Sequence, residues 1–133
     1  METNNDLKKI LVVDDSEVHL LIVDGILKGK YDTTTAKSGK EALTLISKGY
    51  IPNLILLDIL MPEMDGWETY NKIKGISLLK DVPIAFLTSL NGEREKLYAS
   101  RIGAADMITK PCEGKELLDR IQIILDKHLV KSI

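Results

Sequence analysis

Apolar residues along this chain come in short runs, each followed by a polar stretch in which apolar positions return at helical spacing. That alternation is the signature of repeated βα units, and it occurs five times. Residues 10–13 (ILVV) predict a first strand; Ser16 then reads as an N-cap for a helix whose expected buried face carries Val18, Leu21, Ile22 and Ile26, with Gly29 as its stop. Residues 31–35 predict a second, threonine-rich strand, and after Ser38 a helix presents Ala42, Leu43 and Ile46 until Gly49. Pro52 and Asn53 turn the chain into a third strand at residues 54–57 (LILL), and a short helix follows Gly66. Residues 84–87 predict the fourth strand. The helix after Asn91 is mostly polar, with Leu97 and Ile102 as its main apolar positions and Gly103 as its C-terminal cap. Met107 and Ile108 mark a brief fifth strand, and the last helix repeats Leu117, Ile121, Ile124 and Leu125.

Strands one, three and four are nearly continuous apolar segments, as parallel strands covered by helices on both faces must be. Strand two mixes threonine with other polar residues and strand five is short, so these two belong at the sheet edges. The sorting predicts an α/β fold, a doubly wound five-stranded parallel sheet of order 2-1-3-4-5. Ligands of such sheets bind beyond the carboxyl ends of the strands, at the point between strands one and three where the winding reverses.

With 133 residues the chain fits one domain, expected over residues 1–133 with a core from about 8 to 130. Hydrophobic residues make up 44% and charged residues 29%, an ordinary globular balance that excludes a disordered chain. Apolar runs stop at four residues, against the roughly 20 that a spanning helix needs, so no membrane insertion is expected. Residues 1–9 are polar and lack the apolar centre of a secretory signal; with Cys112 as the single cysteine, the expectation is a cytoplasmic protein. A net charge of −2 offers no field for direct nucleic-acid binding.

Candidate chemistry gathers at the strand ends. Asp14 and Asp15 directly follow strand one and Asp58 directly follows strand three, so three carboxylates should project into one crevice. Carboxylates this close resist ionising together unless a cation neutralises them, and magnesium suits an oxygen-only site that keeps several waters. Each acid taken alone is also what a helix-capping turn or a solvated loop supplies. Thr88 ends strand four and Lys110 ends strand five, adding a hydroxyl and an ammonium. An aspartate carboxylate can itself act as a nucleophile and form an acyl phosphate, whose oxygens a lysine, a hydroxyl and magnesium would stabilise.

The strings Val13-Asp14-Asp15-Ser16, Asp58-Ile59-Leu60-Met61-Pro62-Glu63-Met64-Asp65-Gly66, Thr88-Ser89 and Thr109-Lys110-Pro111, each at a strand end, resemble the receiver domain of bacterial two-component response regulators. The resemblance covers almost the whole chain and implies a CheY-like, flavodoxin-like (βα)5 fold. It further implies that Asp58 is the phosphoacceptor, and that Asp15, Asp58 and the backbone carbonyl of Leu60 bind Mg2+ directly, with Asp14 helping through water. Lys110 would pair with the phosphoryl group, Thr88 would move to bond it, and the Lys110–Pro111 peptide would be cis. The implied partners are a sensor histidine kinase or a phosphotransfer protein as donor, and a downstream protein target on the face formed by helix four, strand five and helix five. The molecule would be a monomer or weak dimer and a signalling switch rather than an enzyme, either stand-alone or a receiver cut from a longer regulator.

Two departures from the family pattern stand out. Met107 occupies the position, three residues before the strand-five lysine, where the family usually has Tyr or Phe, so no aromatic ring is there to switch rotamer. Leu60 and Leu90 lie two residues beyond Asp58 and Thr88, at positions that tune phosphate hydrolysis in this family; apolar side chains there predict slow hydrolysis. His19 and His128 are expected on helix surfaces away from the strand ends, Cys112 as a small buried thiol and Trp67 as a local packing residue. The run Glu93, Arg94, Glu95, Lys96 reads as a solvated helix face. Other classes fare worse. A haloacid-dehalogenase-type phosphatase needs a second carboxylate where Leu60 stands, a flavodoxin-like nucleotide or flavin binder needs a glycine-rich loop where Asp14 and Asp15 stand, and a never-phosphorylated interaction module has no use for the full pocket.

Overall fold

The computed structural model describes residues 7–131. Five βα units run along the chain: β1 (Lys9–Val13), α1 (Glu17–Leu27), β2 (Asp32–Ala36), α2 (Gly39–Ser47), β3 (Leu54–Leu57), α3 (Gly66–Lys74), β4 (Ile84–Thr88), α4 (Glu93–Ile102), β5 (Asp106–Thr109) and α5 (Gly114–Lys131), with a 3-10 turn at Ser77–Leu79. The strands are all parallel, in the order β2-β1-β3-β4-β5. Polar β2 and short β5 take the edges, as their composition requires.

Alternate residues of the central strands feed two cores. Leu11, Val13, Ile55, Leu57, Ile84 and Phe86 face a cluster completed by Ala42, Ile46, Tyr70, Ile73 and Ala99, from α2, α3 and α4. Ile10, Val12, Leu54, Leu56, Ala85 and Leu87 face the other, completed by Leu20, Val23 and Leu27 of α1 and Leu117, Ile121 and Ile124 of α5. Ser16, Ser38 and Asp65 cap α1, α2 and α3, each accepting from the backbone N–H three residues on. Gly103 ends α4 in the left-handed region (φ 94°). α4 itself begins after Gly92, one residue beyond the expected Asn91, and has no side-chain cap.

The buried face of α1 differs from the expected one. Leu20, Val23 and Leu27 are buried, whereas Val18, Leu21 and Ile22 are 68%, 72% and 54% exposed and Ile26 is half-buried. This helix is apolar nearly all round, so its sequence carries two stripes of helical spacing. The Ser16 cap and the exit of the chain from β1 select between them. On α4, Leu97 is exposed, and the small Ala99 is the buried residue of this helix. Trp67 packs locally, as expected: its ring meets Phe86 of β4 and Tyr98 of α4 edge-on, each at 4.8 Å between centroids. Cys112 is half-buried rather than buried, because it sits in the loop that enters α5, and burial raises its thiol pKa. His128 is half-buried too, with Nδ1 3.1 Å from the Ile124 carbonyl oxygen one turn back.

Gly66, at the start of α3, fixes the loop that follows β3. A Cβ there would lie 2.6 Å from Ile59 Cα and closer still to the Asp58 carbonyl oxygen, so only glycine lets the helix rest on this backbone. The Gly66 N–H donates to the Ile59 carbonyl oxygen at 2.8 Å and holds the two together. Gly66→Ala is therefore expected to cost about 1–3 kcal/mol of stability through overpacking. Urea denaturation measures it, and an unchanged midpoint would show that the loop can yield.

Candidate functional site

The parallel register sets the site. Val13 pairs with Leu57, so the next residues, Asp14 and Asp58, leave the sheet side by side. Backbone bonds pin both: the Asp58 N–H donates to the Val13 carbonyl at 2.9 Å, and the Asp14 N–H to the Ala36 carbonyl at 3.0 Å. Asp14 and Asp58 are 2% and 5% exposed, while Asp15 faces solvent. Each of the three offers a carboxylate oxygen, and these oxygens all lie within 4.8 Å of one another.

Lys110 reaches this cluster from β5. Its N–H donates to the Thr88 carbonyl at 2.9 Å, tying the ends of β4 and β5, and the peptide to Pro111 is cis. The ammonium donates to Asp14 Oδ2 at 2.7 Å and to Asp58 Oδ2 at 3.1 Å. Thr88 is fully buried at the end of β4, and its Oγ1 accepts the Leu90 N–H at 3.3 Å. Asp58 Oδ1 accepts the Leu60 N–H at the same distance, an Asx-type turn that aims the carboxylate.

Burial pushes the Asp14 carboxyl up, but hydrogen bonds from His19, Lys110 and the Ser16 N–H, with the Lys110 charge, outweigh it and bring the pKa down to about 2. Asp14 is thus ionised at neutral pH. Three carboxyl groups, two of them buried, thus meet a single ammonium in this crevice. The donor set is all oxygen, two acids are held by backbone bonds and the third opens to water. These features fit a hard divalent cation that retains part of its hydration.

Five side chains expected at the site, those of Asp14, Asp15, Asp58, Thr88 and Lys110, are therefore at adjacent strand ends. Leu60 follows in the loop after Asp58. It is 51% exposed and lines a shallow apolar groove with Met61, Pro62, Trp67 and Leu90.

His19 overturns its expected place. It lies at the strand ends, with Nδ1 2.6 Å from Asp14 Oδ2 and its side chain 21% exposed. The signal was present in the sequence. A residue three beyond the N-cap points its side chain back toward the helix start, and here that direction leads to the end of β1.

Comparison with known proteins agrees with this arrangement. The family model of the response regulator receiver domain matches residues 10–122. The response regulator PleD of Caulobacter vibrioides is 32% identical over 92% of this chain, which spans only 27% of PleD's length. Protein PilG of Pseudomonas aeruginosa is 36% identical over 92% of this chain and 90% of its own. Among solved structures, the chemotaxis protein CheY4 of Vibrio cholerae matches with a TM-score of 0.83 at 31% identity, over 89% of this chain and 98% of that one. A doubly wound sheet whose strand tips join acids, threonine and lysine, matched by a family model over most of its length, places the chain in the receiver-domain family of two-component response regulators.

Proposed function

We propose that this chain is a phosphorylation-dependent switch in which Asp58 accepts a phosphoryl group from a sensor histidine kinase or a phosphotransfer protein. The observation that carries this reading is the meeting of Asp14, Asp15 and Asp58 with the Lys110 ammonium at neighbouring strand ends. In the transfer, an Asp58 carboxylate oxygen attacks phosphorus, the new O–P bond forms as the P–N bond of the phosphohistidine breaks, and the imidazole leaves with the electron pair. Lys110 turns to the phosphoryl oxygens it can reach from its place beside Asp58 Oδ2. The Thr88 hydroxyl, whose oxygen accepts from Leu90, keeps its proton to donate to the same group. A magnesium ion held by Asp15, Asp58 and the Leu60 backbone carbonyl, with Asp14 through water, would supply the positive charge that offsets the donor's negative charge.

Output is binding rather than turnover of a substrate, through the face of α4, β5 and α5. Leu97 and Tyr98 are exposed on α4, and Arg120 of α5 grips Asp106 of β5 through two bonds of 2.7 Å. Met107 lies half-buried on β5, opposite Phe86, and a thioether there cannot report state by swinging a ring. The link from β4 to α4 instead runs through the edge-on contacts of Phe86, Trp67 and Tyr98. Such a switch works in the cytoplasm, where its phosphodonors are. No helix among the described residues is long and apolar enough to cross a membrane.

Acetyl phosphate with magnesium should add one phosphoryl group to the wild type, seen as a mass increase, and none to Asp58→Asn; labelling that survives the substitution would exclude Asp58 as acceptor. Lys110→Ala should keep the fold and metal binding yet lose most of the backbone amide shifts that beryllium fluoride induces. Unchanged shifts would remove Lys110 from the mechanism. Leu60 and Leu90 cannot orient an attacking water, so the acyl phosphate should persist for minutes or longer, and Leu60→Asn should shorten its life. A wild-type lifetime of seconds would contradict the screening role.

A further inference from the structure

We infer that His19 is a positioning residue of the phosphorylation site, which keeps Asp14 bonded when Lys110 turns to the phosphoryl group on Asp58. The inference rests on the proposal that Asp58 is the phosphoacceptor, and it concerns a residue that the reaction itself does not touch.

Asp14 Oδ2 has two donors, His19 Nδ1 at 2.6 Å and Lys110 Nζ at 2.7 Å. Asp14 Oδ1 takes the Ser16 N–H at 2.9 Å. Lys110 also bonds Asp58 Oδ2 at 3.1 Å, so one ammonium serves two buried carboxylates. The phosphoryl group of an acyl phosphate on Asp58 carries about two negative charges and draws that ammonium toward itself. Asp14 is 2% exposed, so losing Lys110 with no other donor at Oδ2 would leave a buried charge under-bonded, and the release of Lys110 would be opposed. The imidazole removes that obstacle because it donates to the same oxygen and stays where it is. An ionised carboxylate only accepts, so the proton lies on Nδ1 in this contact.

The ring is well anchored for this task. His19 is the third residue of α1, and its own backbone N–H donates to the Ser16 hydroxyl oxygen at 3.2 Å. The first turn of the helix therefore sets the ring over the end of β1 before any ligand arrives.

The test compares wild type, His19→Leu and His19→Asn in two measurements. The first is the rate of phosphorylation by acetyl phosphate with magnesium, and the second is the side-chain amine signal of Lys110 in the unphosphorylated protein. Leucine removes the donor and keeps bulk. Asparagine places an N–H donor the same number of bonds from Cα as His Nδ1 and carries no charge. His19→Leu should be phosphorylated about tenfold more slowly, as loss of a charge-assisted bond implies, with a shifted Lys110 signal; His19→Asn should restore both. A wild-type rate in His19→Leu, or a defect in His19→Asn as large as in His19→Leu, would overturn the inference. Thermal unfolding of each variant separates a folding defect from a positioning one, because a residue that only filled space would be replaced better by leucine than by asparagine. Asp58→Asn in parallel keeps the two readings apart. If it loses its label while His19→Leu labels normally, His19 alone is dismissed; if it keeps its label, both readings fall.

Discussion

Asp14 and Asp58 are taken almost wholly out of water, and the Lys110 ammonium, 2.7 and 3.1 Å from their oxygens, is the one cation among the described residues that bonds both. Everything that brings the lysine there is long-range. Its strand lies at the sheet edge opposite β2, and it reaches the acids only because β3 and β4 stand between β1 and β5 with their ends level. The two apolar cores hold those strands in register, so the packing of leucines and isoleucines on both faces indirectly sets the distance between ammonium and carboxylate. A one-residue slip of any central strand would turn its acid or threonine to the other face of the sheet.

Much of this was legible in the sequence because its signals are local and mutually consistent. Continuous apolar runs identified β1, β3 and β4 as inner strands, and the threonines of residues 33–35 marked β2 as an edge. Serine caps placed the starts of α1 and α2. With the order of the strands in hand, the site residues follow, since each lies within two residues of the end of an apolar run: Asp14, Asp58 and Thr88 directly after it, Asp15 and Lys110 one residue later.

What escaped were matters of phase and of contact across elements. In α1 the residues 20–23 are all apolar, so periodicity could not choose the face that turns inward, and the stripe of Val18, Leu21 and Ile22 is the one left in solvent. The same ambiguity hid His19. With the helix rotated to bury Val18, the imidazole would have pointed away, whereas the observed phase places it on Asp14. Helix α4 makes a related point: hydrophobicity alone ranks leucine above alanine, yet Ala99 is buried and Leu97 is left in solvent.

The seat of Gly66 on the backbone of Asp58 and Ile59 has a mechanical consequence. Carboxylate-bearing strand tip and following helix are one solid body, with no slack between them for a hinge. On the opposite bank of the crevice the chain after Thr88 is tied differently, by the 3.3 Å bond from the Leu90 N–H to the Thr88 hydroxyl and by the packing of Leu90 on the core. Among the described residues no helix is seated on its backbone as Gly66 is on that of Asp58.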